Sequence, residues 1–461
     1  MSIRLWYGLA GIVLFLLSCS TSDEYQEPSL SEITVEVISG NPYESKIKWT
    51  RPGGDTDQHI VYKVYLNEAL VAENINEHTF TFDELKGLTE YQGKVVAVNA
   101  DGISTSAEYN FLTGEKTYEG NVELNDQGQV EEFAESGYNV IKGSLILKST
   151  AGISDLSALN TLNQVKGDLL IINTNLQNLS GLENLTLDSE EARLAILNND
   201  RLTDIEALSN ITDLGILSVS GNELLQNLNG LNQLHTVKSE LSLSVNPALI
   251  NIEALNRLTY AHKVNIVANN TLSDLDGLDN LQEVNSFVIK SNGSLSNLEG
   301  LKNLKHCELY FTVEDNQKLT SLNGLSSLAS TGALKIINNP SLENIADLTE
   351  LKSVDYLIAI NHNLSLNSLN GLQNAVFTNS LTNKELYINN NPKLIDLEAL
   401  SAQTFERGTI KISNNTGLVN FCGLKKLLSE IKYKEFDENN FIINNGYNPD
   451  INQILNNNCA L

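Results

Sequence analysis

Few residues in this 461-residue chain have the type and spacing to carry out chemistry. His306 and Cys307 are adjacent, and an imidazole beside a thiol is the raw material of a nucleophile–base pair. The pattern around them reads as a strand, however, and neighbours on a strand point to opposite faces. Cys307 also stands six residues after Leu301, where corresponding stretches carry Val237, Val284 or Val354. That company predicts a buried, unreactive thiol. Asp274, Asp276 and Asp279 crowd one turn, but without the spacing of a calcium-binding loop. The six histidines are dispersed, and no C-x-x-C, H-E-x-x-H, G-x-S-x-G or phosphate-loop sequence occurs. The expectation is a non-enzymatic protein without a metal or cofactor.

The elements that hold the remaining polar residues follow from a repeat. Framework leucines recur at Leu159, Leu182, Leu208, Leu231, Leu255, Leu278, Leu301, Leu325, Leu348, Leu372, Leu400 and Leu424, usually 23 or 24 residues apart and closing Gly-Leu or Ala-Leu steps. Spacings of 26 around Thr186 to Glu191 and of 28 around Phe377 to Asn383 read as loop insertions. Fourteen and twelve residues before nearly every leucine sit apolar residues, such as Val264 and Ile266 or Leu386 and Ile388. Nine before it comes an asparagine, from Asn173 and Asn199 through to Asn391 and Asn415, with Thr150 in the first coil. One coil cannot bury its apolar edge alone, so coils must stack and extend a parallel sheet. The asparagines then form a ladder that serves backbone groups left unpaired at the bend. At about 4.8 Å per strand, twelve coils give a rod of about 55 Å.

Outside that framework lie the positions thirteen, eleven and ten before each leucine. In the C-terminal coils they offer Lys335, Asn361, His362, Tyr387, Asn389 and Lys411 as ligand-face candidates, whereas earlier coils offer mostly Ser, Ala and Val. A polar, nearly flat strip suits a protein partner or a long polysaccharide. A single tyrosine is thin support for sugar stacking, and the insertions add only Phe377, which tips the reading toward a protein.

Residues 29–115 alternate differently, in short strand-like runs such as Ser45 to Trp49 and Lys94 to Val98, separated by turns at Pro52 to Asp55 and Asp101-Gly102. That pattern predicts an antiparallel sandwich. With 30 basic residues against 57 acidic ones the net charge is −27. A chain so acidic, without a basic cluster, is repelled by nucleic acid. Near the N-terminus, Arg4 precedes an apolar run from Leu5 to Leu17 that is too short to span a bilayer.

Several motifs resemble known families. Leu16-Leu17-Ser18-Cys19 resembles a bacterial lipobox, which implies a signal peptide over 1–18, acylation of Cys19, and a tether over 19–28. Ser20 to Glu24 resembles the acidic export tag of Bacteroidota-type surface lipoproteins, implying a surface-exposed outer-membrane protein attached by lipid alone. Trp49 with Leu88-Thr89-Glu90-Tyr91 resembles the fibronectin type III pattern, in which the tryptophan fills the core and the tyrosine hydroxyl fixes a corner. The L-x-I-x-x-N core with its N-x-x-L and G-L steps resembles the receptor L-domain branch of leucine-rich repeats.

That last resemblance implies an N-terminal cap over 119–143, repeats over 144–427 and a C-terminal cap over 428–461. The N-terminal cap would hold a helix from Gln127 to Glu135, capped by Asp126 and closed by Gly137. Cys422 and Cys459 fall in the implied terminal cap region, where a disulfide would staple the end of an exported protein. The fold expected is mainly β: a fibronectin-like sandwich followed by a capped parallel solenoid of about twelve coils. The function expected is non-catalytic adhesion or recognition of a protein or glycan on a cell or matrix surface, by a monomeric ectodomain. Polysaccharide capture for uptake is the first alternative, and a structural envelope role the second.

Overall fold

In the computed structural model the described residues are 29–53, 59–149, 152–378, 383–404, 407–430 and 441–461. Residues 1–18 and 19–28, expected to be signal peptide and tether, lie outside them with Cys19, as does Thr150. Among the described residues, no helix is long and apolar enough to cross a membrane. The chain divides into two compact units.

The first unit is a sandwich of two antiparallel sheets. One pairs Val35–Gly40, Glu44–Trp49 and Thr79–Asp83, and the other places Ala69–Ile75, Val61–Leu66, Glu90–Val98 and Ser104–Leu112 side by side. Alternation puts Ile47, Trp49, Tyr62, Val64, Val95 and Ala97 into the core. Trp49 packs against Tyr62 with ring centroids 5.3 Å apart, and Tyr91 stacks on Phe111 at 5.6 Å. The sequence pattern did not single out two of these strands. Ala69–Ile75 is an edge strand with no buried residue, so it has no apolar alternation to read.

The second unit is the solenoid. Its main sheet runs parallel from Val122–Leu124 to Phe441–Ile443, one strand per coil. In the early coils each strand is short, and a second small parallel sheet joins Thr117–Tyr118, Val140–Ile141, Gln164–Val165 and Thr186–Leu187. From Asp213–Ser220 to Ser353–Asn361 the two segments fuse into strands of up to nine residues, and in the next coil they separate again as Val376–Phe377 and Lys384–Asn389. The helix Gln127–Glu135 closes the N-terminal end. Asp126 accepts a hydrogen bond from the Gln129 N–H at 2.9 Å, and Gly137 follows in the left-handed region at φ 65°.

Framework leucines fill one continuous core; Leu182, Leu231, Leu278, Leu325 and Leu372 are wholly buried. Phe377 joins that core, so the ring in the second insertion is packing and not a ligand contact. The small-residue steps before these leucines take two forms, and Gly-Leu occurs in both. Leucines 159, 208, 255, 301, 400 and 424 end short 3-10 turns. Glycines 181, 230, 277, 324 and 371 instead have φ between 108° and 115°; like Gly300 and Gly423 in the 3-10 turns, they press against a carbonyl of the preceding coil.

The asparagine ladder is continuous from Asn199 to Asn445. At each rung the side-chain amide donates to a carbonyl of the preceding coil, and the Oδ1 accepts the backbone N–H of the preceding asparagine. Two details depart from the sequence reading. In the Leu182 coil the rung is Thr174, whose hydroxyl donates to Asn199 Oδ1 at 2.7 Å, while Asn173 sits exposed one residue earlier at φ 54°. That coil has one residue fewer between its strand turn and its leucine, which moves the inward position along. At the other end Asn445 adds a rung beyond residue 427, so stacking continues into the segment read as a cap.

Cys422 and Cys459 form a disulfide that fastens the last segment to the final coil. Their separation of 37 residues makes the closed loop substantial. Reduction, or Cys459→Ser, is expected to lower stability by about 2–4 kcal/mol. Hydrogen exchange should show the loss concentrated in residues 441–461, because each coil contacts only its neighbours. Uniform loss of protection across all coils would contradict this.

Candidate functional site

Residues on the outward face of the main sheet fall into rows that cross the strands. The central row passes through Ser218, Ser242, Asn265, Val288, Thr312, Lys335, Ala359, Tyr387, Lys411 and Phe441 in consecutive register. One flanking row holds Tyr310, Ala333, Leu357 and Glu385. The other holds Glu314, Ile337, Asn361, Asn389 and Ser413. Register therefore brings Lys335, Tyr387 and Lys411 onto one line, with Asn361 and Asn389 beside them. Lys335 and Lys411 are three strands apart, about 14 Å.

Aromatic surface is concentrated here. Ala333, Leu357 and Ala359 form a small buried cluster outside the main core, and the half-buried rings of Tyr310, Tyr356 and Tyr387 pack on it. Alanines at register partners of Tyr310 and Tyr387 leave room for the rings to settle against the sheet. The Lys335 Nζ stands 5.6 Å from the Tyr310 ring centroid. The Lys411 Nζ is 5.5 Å from that of Tyr387 and 5.7 Å from that of Phe441. Each ammonium is thus held by the electron-rich face of a ring.

Polar partners order the rest. Burial, then the neighbouring Glu385 carboxylate, pushes the Tyr387 phenol up to about 12. Burial also raises the Tyr356 phenol, whose hydroxyl donates to the Leu309 carbonyl at 3.4 Å. Asn361 Oδ1 accepts from both the backbone N–H and the side-chain amide of Asn389, each at 3.0 Å, and Asn389 Oδ1 accepts the Ser413 hydroxyl at 2.8 Å. These two asparagines form a second, outward ladder with their amide edges ordered.

Other candidates have a different place. His362 is exposed at φ 63°, the left-handed turn that ends its strand, and Asn338, Asn390 and Asn414 occupy the same turn in other coils. Ala359 and Ser413, read as solvent-facing, point outward but are covered by their neighbours, at 4% and 7% exposure. The sequence reading passed over Tyr310, Tyr356 and Phe441. Tyr310 lies fifteen residues before Leu325, one position outside the frame used to define the strip, and Tyr356 lies in a bulge of its strand.

Cys307 is fully buried, and burial pushes its thiol up to about 12. His306 is exposed and hydrogen-bonded to Ser330 at 2.8 Å, so the two do not form a reactive pair. Asp279 is bridged by Lys302 at 2.6 Å. Among the described residues, no group of three or more His, Cys, Asp or Glu side chains is arranged to hold a metal ion.

Residues 27–111 match the fibronectin type III domain, and residues 139–225 match the receptor L domain. No curated protein matches the chain. Among solved structures, it is similar to that of the Yersinia enterocolitica Family 28 exopolygalacturonase at 12% identity, over 84% of this chain and 92% of that one, with a TM-score of 0.17. Overlap that low carries no argument. The two domain matches and the solenoid fold fit a role in binding or recognition.

Proposed function

We propose that this protein is a non-catalytic recognition protein, attached to the outer membrane through a lipid on Cys19, that engages a partner at a cell or matrix surface. The observation that carries the reading is the uneven outward face. From Ile146 to Thr312 its central row carries neither an aromatic ring nor a charge, and it then places Lys335, Tyr387, Lys411 and Phe441 within its last five strands. Rings, ammonium groups and ordered amides on a rigid sheet are a preorganised binding surface, because little side-chain freedom remains to be lost on binding. The sandwich is read as a spacer between the tether and the solenoid.

A glycan partner is supported over a protein by the three tyrosines. Half-buried rings beside ordered amides suit a ligand that presents apolar ring faces and hydroxyl edges together. A protein interface of ordinary kind instead has a desolvated, charge-depleted centre. The test is saturable binding of the full chain to a panel of polysaccharides and whole cells. Tyr387→Ala is expected to weaken the positive interaction about tenfold, a loss of about 1.4 kcal/mol. Unchanged binding by Tyr387→Ala, with the fold intact by circular dichroism, would contradict the reading.

A further inference from the structure

Resting on that recognition reading, we infer that the ligand is a carboxylate-bearing polysaccharide, lying across the strands so that its acidic groups meet Lys335 and Lys411. Charge selects the class of ligand. The chain is strongly acidic overall, yet the central row, after Glu123 on its first strand, contains no carboxylate from Ile146 to Phe441 and two lysines, both near its C-terminal end. Of the acids in the adjoining rows, Glu314 pairs with Lys290 at 2.7 Å and Glu240 accepts the Asn265 amide at 2.8 Å, while Glu385 neighbours the Tyr387 phenol. Among the described residues neither Lys335 nor Lys411 forms an ion pair; both are held over rings. A ring face fixes an ammonium's position while leaving its N–H donors for an oxygen anion.

Shape favours a polysaccharide over a peptide. An acidic peptide takes hold of a sheet chiefly by pairing with an edge strand. Lys335 and Lys411 are on interior strands with neighbours on both sides. The sheet's face offers side chains only, in a straight row, so a repeating ligand with charge and ring surface in each unit fits it better. Two carboxylates about 14 Å apart along an extended chain would meet both lysines.

The experiment measures binding of the full chain, in detergent, to alginate as a polyuronate, dextran as a neutral glucan and poly-glutamate as an acidic peptide. Wild type is compared with Lys335→Gln, Lys411→Gln, the double variant and Tyr387→Ala. The inference predicts saturable alginate binding that weakens about tenfold in the double variant and falls with added salt, and at least tenfold weaker binding of dextran and poly-glutamate. Equal or tighter binding of dextran, still sensitive to Tyr387→Ala, would overturn the acidic class and leave the recognition surface standing. Equal binding of poly-glutamate would overturn the polysaccharide. Alginate binding untouched by every variant, or no binding by wild type, would overturn the inference. Whole-cell binding that Tyr387→Ala also fails to reduce would remove the recognition surface with it.

Discussion

Asn363→Ala is expected to destabilise the solenoid by about 3–5 kcal/mol, although it removes only a small amide. Asn363 is fully buried. Its Nδ2 donates to the Ile336 carbonyl at 2.9 Å and the Asn361 carbonyl at 3.2 Å, and its Oδ1 accepts the Asn339 N–H at 3.0 Å. Alanine leaves a backbone donor and a backbone acceptor unpaired away from water, at about 1–3 kcal/mol each, and interrupts a ladder spanning two neighbouring coils. His362 supplies the control. It is exposed and left-handed, so His362→Gly relieves local strain and should be neutral or stabilising by up to about 1 kcal/mol. Urea denaturation of the two variants separates them. A small loss for Asn363→Ala, or a larger one for His362→Gly, would contradict the ladder as the inner support of the fold.

Gly324→Ala should cost a comparable amount, about 3–5 kcal/mol, by a different route. Gly324 has φ 113°, and a Cβ placed there would lie 1.9 Å from the Leu298 carbonyl oxygen of the preceding coil. Main-chain atoms cannot swing aside, so the coils must part, and buried Leu298 and Leu325 lose their packing. In a coil that uses a 3-10 turn the corresponding residue is Ala207. Ala207→Gly adds only the flexibility of glycine, about 1 kcal/mol. Thermal melts of both variants test the asymmetry; similar small shifts would mean that alternate coils do not need the close approach.

Much of the architecture was legible because solenoids repeat their reasons. Leucine spacing, the apolar pair on each strand and the asparagine rung recur with a fixed period, so each coil corroborates the next. Asn173 was misplaced because one residue fewer in that coil moved the rung to Thr174, a change that is invisible when positions are counted back from the leucine. The alternation between 3-10 turns and left-handed glycines was also hidden, since both are written as a small residue before leucine. Half of the candidate site could be read. Lys335, Tyr387 and Lys411 follow from the repeat, but Tyr310 and Tyr356 joined them only when strand register and the bulge set residues from separate coils side by side. The edge strand Ala69–Ile75 left no periodic trace, because neither of its faces is buried.

The central claim is that recognition belongs to the last five strands of the outward face. The most direct test compares the dissociation constants of two paired variants of the full chain against whichever partner the binding panel identifies. Tyr387→Ala with Lys411→Ala strips the aromatic and ammonium groups, whereas Ser218→Ala with Ser242→Ala alters the same row in early coils. The account predicts a loss of at least about tenfold for the first pair and less than about twofold for the second. Equal losses, or a loss confined to the serine pair, would contradict it.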